Sequence, residues 1–240
     1  MATLVFERVE KKYLLNSQQF RELSEVLEGR FQIDKYGKTT INNIYYDTPD
    51  HLLIRRSLEK PVYKEKLRVR SYGKADRDTK VFIELKKKYK GVVYKRRTSM
   101  ALKDSYPFLN CESKPCISEQ IENEIQYFMG FYENIAPAMY IGYDRIAMYG
   151  VDNKDLRITF DTNIRYRQTD LRLDKGSYGE QLLENGQVLM EIKIPGVMPL
   201  WLSKELSRLK IFPTSFSKYG KAYTRVLTDN LEKGRVNHCA

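Results

Sequence analysis

Apolar and polar residues alternate along several stretches of the chain, the period-two signature of strands buried on one side. Val62 to Tyr72, Lys80 to Lys88 and Val92 to Met100 read as three long strands, with Gly73 and Gly91 at the two connections. Leu4 to Leu15 reads as a first strand, and Asn42 to Tyr46 as another that ends in the turn Asp47-Thr48-Pro49-Asp50. Tyr140 to Tyr149, Leu156 to Arg167 and Val188 to Ile194 complete the strand set. Helical spacing appears in fewer places. Asn16 or Ser17 caps a helix with Phe20, Leu23, Val26 and Leu27 on one face. Ser118 caps a second, whose stripe is Ile121, Ile125, Phe128 and Met129. Ser203 to Leu209 reads as a short helix, and Ser217 to Leu231 as a closing one with Tyr219, Tyr223, Val226 and Leu227. Lys103 to Pro115 looks irregular, and the polar Leu171 to Gly186 reads as a loop or short excursion. Many long strands between few helices predict an α+β protein built on an antiparallel sheet or β-barrel, with helices packed outside. With no repeat or linker visible, residues 1–240 read as one domain.

Composition narrows the function. The 240 residues carry a net charge of +11, which suits nucleic acid, an anionic membrane or polyphosphate as partner. Cys111, Cys116 and Cys239 make neither a disulfide framework nor a zinc site. No apolar leader and no 18-residue apolar run is present, so a cytoplasmic chain without a transmembrane segment is expected. Gly37-Lys38-Thr39 matches the end of a phosphate-binding P-loop, but Gln32 stands where its first glycine is required. The two histidines, His51 and His238, supply little for histidine-based catalysis.

The phase of the charges within the strands carries more. Lys64, Lys66, Arg68 and Arg70 share one strand face, opposite Glu65, Leu67 and Val69. Phe82, Glu84, Lys86 and Lys88 share a face opposite Val81, Ile83 and Leu85. The same phase groups Arg8, Glu10 and Lys12; Lys95 and Arg97; Tyr143 and Arg145; Arg157, Thr159 and Asp161; and Glu191 and Lys193. On any single strand this is an ordinary solvated face. Repeated across so many strands, it predicts a positive lumen once the sheet closes. Arg offers a fork matched to phosphate oxygens and Lys a compact charge, so linked phosphates fit. The few carboxylates suit a hard divalent cation that bridges phosphate oxygens.

The same residues resemble a known family. Arg8-Val9-Glu10-Lys11-Lys12-Tyr13 looks like the R-x-E-x-K-Y opening of VTC domains, the polyphosphate polymerase domains among the triphosphate tunnel metalloenzymes. Ile44-Tyr45-Tyr46-Asp47, Leu67-Arg68-Val69-Arg70-Ser71-Tyr72-Gly73 and Phe82-Ile83-Glu84-Leu85-Lys86 resemble successive family segments. So do Lys95-Arg96-Arg97, Tyr143-Asp144-Arg145, Arg157-Ile158-Thr159-Phe160-Asp161, Glu191-Ile192-Lys193 and Ser217-Lys218-Tyr219. Each is weak alone; their order from residue 8 to about 223 makes the resemblance specific. It implies an antiparallel tunnel barrel and transfer of the ATP γ-phosphoryl group to a growing polyphosphate chain with Mn²⁺ or Mg²⁺. Arg8 stands where the CYTH-type triphosphatases begin their E-x-E-x-K, which disfavours that branch. A stand-alone form is expected, without the SPX domain and membrane segments of eukaryotic VTC subunits.

In this reading Arg68, Arg70, Arg145, Arg157 and Lys193 act on the transferring phosphate. Lys12, Arg56, Lys86, Lys95, Arg97, Tyr143, Ser217 and Lys218 bind ATP, polyphosphate, triphosphate or pyrophosphate. Glu191 is the first metal ligand, with Glu10 and Glu84 as secondary ligands or charge balancers. For Glu191 the competing role is an ion pair with Lys193 or a neighbouring arginine. No side-chain nucleophile is needed, because phosphoryl transfer rests on positioning and charge stabilisation. The alternatives are a metal-dependent hydrolase of tripolyphosphate or nucleoside triphosphates and a non-catalytic polyphosphate binder. Nucleic acid is not expected, since no recognition motif is present and a charged lumen does not admit a duplex. A lumen cation such as Arg145 is expected to be removable without harm to the fold.

Overall fold

The computed structural model describes residues 8–112 and 119–236. Its elements, in chain order, are β1 (Arg8–Leu15), α1 (Ser17–Leu27), β2 (Phe31–Asp47), α2 (Leu52–Leu58), β3 (Tyr63–Tyr72), β4 (Lys80–Tyr89) and β5 (Val92–Ala101). They continue with α3 (Leu102–Leu109), α4 (Glu119–Phe131), β6 (Ala136–Gly150), β7 (Arg157–Arg167), β8 (Glu180–Gln181), β9 (Val188–Pro195), α5 (Leu200–Arg208), β10 (Pro213–Thr214) and α6 (Lys218–Val236). The fold is α+β, with a large antiparallel sheet in the order β10-β1-β9-β7-β6-β2-β3-β4-β5 and β8 on β7. Among the described residues this pairing path is open, ending at β10 and β5, and does not close into a barrel by strand pairing.

The chain folds into two compact units: residues 1–39, 143–164 and 183–216 form the first, and 40–142, 165–182 and 217–240 the second. In the first, Tyr13 and Leu15 of β1, Ile158 and Phe160 of β7, and Met190 and Ile192 of β9 bury their side chains against Leu23 and Leu27 of α1 and Leu202 and Leu206 of α5. Helix α1 starts on a complete capping box: the Asn16 side chain accepts from the Gln19 amide, and the Gln19 side chain from the Asn16 amide. In the second unit, Leu67 and Val69 of β3 and Val81, Ile83 and Leu85 of β4 pack on Leu102 and Phe108 of α3 and on Ile125 and Phe128 of α4. The apolar phase expected for β3 and β4 thus faces this core. The Ser118 cap expected for α4 lies outside the described residues, as do Cys116, Cys239 and His238.

Several expectations need correction. Strand β2 begins at Phe31, far ahead of Asn42; Ile33 and Tyr36 in its first half are exposed, so this part of the strand lies outside the core. The stretch expected to be irregular opens with α3, despite Pro107 inside it and no side-chain cap at Ala101. The Leu171 to Gly186 stretch is the expected short excursion, with a 3-10 turn at Leu173–Lys175 and the short strand β8. Leu227, placed on the buried stripe of α6, is exposed. Helix α2 was not foreseen, and its cap explains why. Asp47 Oδ1 accepts from the Leu53 amide at 2.8 Å and Oδ2 from the Ile54 amide at 3.0 Å. Thr48 Oγ1 takes the Leu52 amide at 2.9 Å. The orphan donors of the first turn are therefore satisfied from before the Pro49-Asp50 turn, and not by His51, the N-cap residue.

Candidate functional site

The second unit carries a face with a large excess of positive charge. Strand β3 contributes Lys64, Lys66, Arg68 and Arg70, β4 Lys80, Lys86 and Lys88, and β5 Lys95 and Arg97: nine cations against the single carboxylate of Glu84. Register explains the arrangement. Glu84 lies directly opposite Arg68 on one side and Arg97 on the other, with Arg70 and Lys95 on the diagonals. Its carboxylate is 2.7 Å from Arg68, 2.7 Å from Arg97, 2.8 Å from Lys95 and 3.9 Å from Arg70. Burial by itself pushes the Glu84 pKa up, but the charges of Arg68 and Arg70 and the Lys95 hydrogen bond outweigh it and hold the carboxyl well below its usual range.

Uncharged partners fix the guanidinium groups. Arg68 donates to the Tyr45 hydroxyl at 3.1 Å, and Arg70 to Asn43 Oδ1 at 3.0 Å. Arg97 donates to the Tyr72 hydroxyl at 3.1 Å and stacks over Phe82 at 4.2 Å. Burial opposes ionisation of the Tyr72 phenol, yet Arg70 and Arg97 lower its pKa overall. Lys86 is exposed on the same face. Ser217 accepts from Lys66 at 3.1 Å and from the Gly220 amide at 3.2 Å, so it caps α6 while touching the cationic strand. Lys218 follows it, half-buried in the first turn of α6. Arg56 sits exposed in the last turn of α2.

The first unit carries a different face. Lys12 pairs across the sheet with Glu191, Glu10 with Lys193, Thr159 with Glu191, and Arg157 with Lys193. Three cations (Lys12, Arg145 and Lys193) meet three carboxylates (Glu10, Asp161 and Glu191), and Arg157 stands beside Lys193 in the register. Glu191 is 3.5 Å from Lys12, 3.7 Å from Lys193 and 3.8 Å from Arg145. Glu10 is 3.7 Å from Lys12 and 3.9 Å from Lys193. Arg145 grips the fully buried Asp161 through two bonds of 2.6 and 2.7 Å and lies over the Tyr143 ring at 5.1 Å. Burial works against the Arg145 charge, but Tyr143, Asp161 and Glu191 more than compensate and keep it protonated. Its removal would take from a buried carboxylate its two-bond partner, which argues against the expectation that the fold tolerates its loss. Arg157 points to solvent.

The first face also fits a divalent cation in part. Glu191 and Glu10 offer carboxylate oxygens, which hard cations prefer. Thr159 Oγ1, buried opposite Glu191, has no hydrogen-bond partner among the described residues. No group of three or more His, Cys, Asp or Glu side chains gathers there among the described residues. Such an ion would need phosphate oxygens or water to complete its shell, as Mg²⁺ commonly does. Glu84, closed in by four cations, is a charge hub.

The VTC domain family matches residues 7–227. The chain belongs to the VTC domain family. This VTC domain also shares its fold with solved structures of low sequence identity. A candidate adenylate cyclase from Bacillus halodurans aligns with a TM-score of 0.53 at 12% identity, covering 88% of this chain and 93% of that one. A candidate adenylyl cyclase from Hippeastrum, described as having a dominant triphosphatase activity, aligns with a TM-score of 0.51 at 15% identity over 88% and 93%. No curated protein sequence matches.

The Tyr219 and Asp47 roles were missed by sequence reasoning. Tyr219 donates to Asp47 Oδ2 at 2.8 Å and stacks on Tyr45 at 4.8 Å, so two of the family-like segments lock each other. Asp47 followed by Thr48 ahead of an apolar triplet was the available signal, but the Pro49-Asp50 turn between them hid it.

Proposed function

We propose that this VTC domain is an ATP-dependent polyphosphate polymerase, which transfers the γ-phosphoryl group of ATP to a growing polyphosphate chain held on a basic strand face. The observation that carries the reading is the Glu84 group: Arg68, Arg70, Lys95 and Arg97 held on one carboxylate, in a face with nine cations. A polyphosphate chain presents anionic oxygens at short, regular intervals, and a face of fixed cations in surplus takes it up with the least reorganisation. Arg68 and Arg70 are assigned to the transferring group, whose charge spreads over three equatorial oxygens. Lys86, Lys95 and Arg97 hold neighbouring phosphates, with Ser217 and Lys218 at the start of α6 and Arg56 on α2 as outer contacts.

On the first unit, Arg145, Arg157 and Lys193 are assigned to phosphate, with Lys12 and Tyr143 in support. Glu191 and Glu10 would hold Mn²⁺ or Mg²⁺, which supplies further charge neutralisation to the phosphate oxygens when bound. The chain's own residues orient the acceptor phosphate and exclude water from the attack. The carboxylate-bearing face of the first unit favours a second reading, a metal-dependent triphosphate hydrolase using the same residues. Incubation with ATP and Mn²⁺, with products separated by gel and by orthophosphate assay, decides. Long polyphosphate supports polymerisation, orthophosphate alone supports hydrolysis, and no metal-dependent turnover leaves a binding module.

A further inference from the structure

The β4–β5 hairpin ends in a tip that neither core nor phosphate chemistry explains. Tyr89, Val92, Val93 and Tyr94 are 46% to 50% exposed there. Tyr89 faces Val92 across the strands and Tyr63 faces Tyr89 from β3, so apolar side chains adjoin on the hairpin's core-side face, while Val93 pairs with Lys88 on the opposite face of the tip. Lys90 and Gly91 close the turn with φ of 45° and 88°, the left-handed pair of a tight two-residue hairpin, which projects the tip firmly. From Lys86 to Arg97 the sequence holds seven cations and no acidic residue.

The acidic groups packed against this region are already engaged. Glu124 of α4 is 3.8 Å from Lys87 and 3.1 Å from Arg96. Glu65 accepts from the hydroxyls of Tyr63 and Tyr132. Burial, and after it the nearby charges of Lys88, Lys60 and Lys86, lower the pKa of Lys64. Tyr127 and Phe131 of α4, both exposed and stacked at 6.0 Å, add aromatic surface on the helix that Glu124 links to the hairpin.

We propose that the β4–β5 tip docks this unit on an anionic phospholipid surface, with Val92, Val93 and Tyr94 entering the headgroup layer and the surrounding lysines meeting lipid phosphates. Tyrosine is favoured where one end is apolar and the other wet, and lysine stems bury while their charges reach out. Juxtamembrane cations add attraction to acidic lipids. Other occupants fit less well. A polyphosphate chain or nucleic acid rewards the lysines and leaves two valines wet. A second copy would bring two lysine groups together. No helix among the described residues is long and apolar enough to cross a membrane, and interfacial docking requires none.

Vesicle sedimentation tests this without reference to turnover. The intact chain is expected to sediment with phosphatidylcholine–phosphatidylglycerol vesicles, but not with pure phosphatidylcholine vesicles. The triple variant Val92→Thr/Val93→Thr/Tyr94→Thr keeps every charge and good strand formers. It is expected to weaken vesicle binding by about tenfold or more at unchanged melting temperature. Val93→Trp is expected to shift its emission to the blue on anionic vesicles, against the Trp201 background of the unsubstituted chain. Unchanged vesicle binding by the triple variant would overturn the proposal in favour of charge alone. Duplex RNA binding lost in the triple variant would reassign the tip to nucleic acid, and a dimer in sedimentation velocity that the triple variant disperses would reassign it to self-association.

Discussion

The two charged faces use the same strand phase and reach opposite balances. In the first unit, Lys12, Arg145, Arg157 and Lys193 are nearly matched by Glu10, Asp161 and Glu191, each cation within reach of a carboxylate except the solvent-facing Arg157. In the second, one buried glutamate serves as counterion to four cations, and five more lie along the same face. The first face is close to neutral before any ligand arrives, so a phosphate group there must compete with existing ion pairs. The second carries more cations than carboxylates on its strands. A polyanion gains most affinity where charge is in surplus, and most orientation where charges are already fixed in pairs.

The largest effects should come from the charge hubs. Glu84→Gln leaves four cations without their carboxylate and is expected to cost about 3–5 kcal/mol of stability. Tripolyphosphate should raise the melting temperature of this variant more than that of the unsubstituted protein, because it replaces the missing anion. Equal ligand-induced shifts would remove the distinction between the faces. In the first unit, Arg145→Ala should cost a similar ~3–5 kcal/mol by stranding Asp161. Here the remedy should be internal: Arg145→Ala combined with Asp161→Ala should recover much of the loss, while tripolyphosphate should not. A double-mutant cycle by denaturant unfolding measures this.

Arg68→Ala sharpens the comparison at the level of activity. Turnover should fall by about 100-fold, roughly 2.7 kcal/mol, on the scale of a lost electrostatic clamp. Melting without ligand should hold or rise, since one member of a crowded set has gone. Wild-type turnover in this variant would take Arg68 out of the site. A smaller effect is expected from acid. The Glu84 pKa is depressed in the folded protein, so below the ordinary value of 4.5 the unfolded chain binds the proton that the folded one refuses. The stability that Glu84 contributes is therefore complete above that pH and is lost as pH falls toward the folded pKa. The melting difference between the protein and Glu84→Gln should be flat near neutrality and shrink in acid; a difference that grows in acid would reverse the assignment.

Much of both faces was legible in the sequence, because alternation fixes which side chains share a side of a strand. Arg68 with Arg70, and Glu84 with Lys86, followed from that alone. Their partners did not. That Glu84 stands between Arg68 and Arg97 depends on register, and a shift by one residue would turn each face over. The closure between Arg145 and Asp161 likewise joins residues 16 apart. The missed elements share a cause as well. Helix α2 is seven residues long and capped from a distance, α3 contains a proline, and the first half of β2 is largely exposed, its Ile33 and Tyr36 included. None carries a periodic signal, and each is set by what surrounds it.

The four hydrogen bonds on Asp47 bear on how relatives of this chain should be recognised. Three backbone amides (Thr48, Leu53 and Ile54) and the Tyr219 hydroxyl converge on that carboxylate. It is a keystone of architecture, remote in purpose from phosphate. A descendant that had lost all chemistry would still need it, whereas it could discard Arg68 freely. Searches keyed to the I-Y-Y-D segment would therefore gather pseudoenzymes together with enzymes, and only the occupancy of the cationic strand positions would sort one from the other.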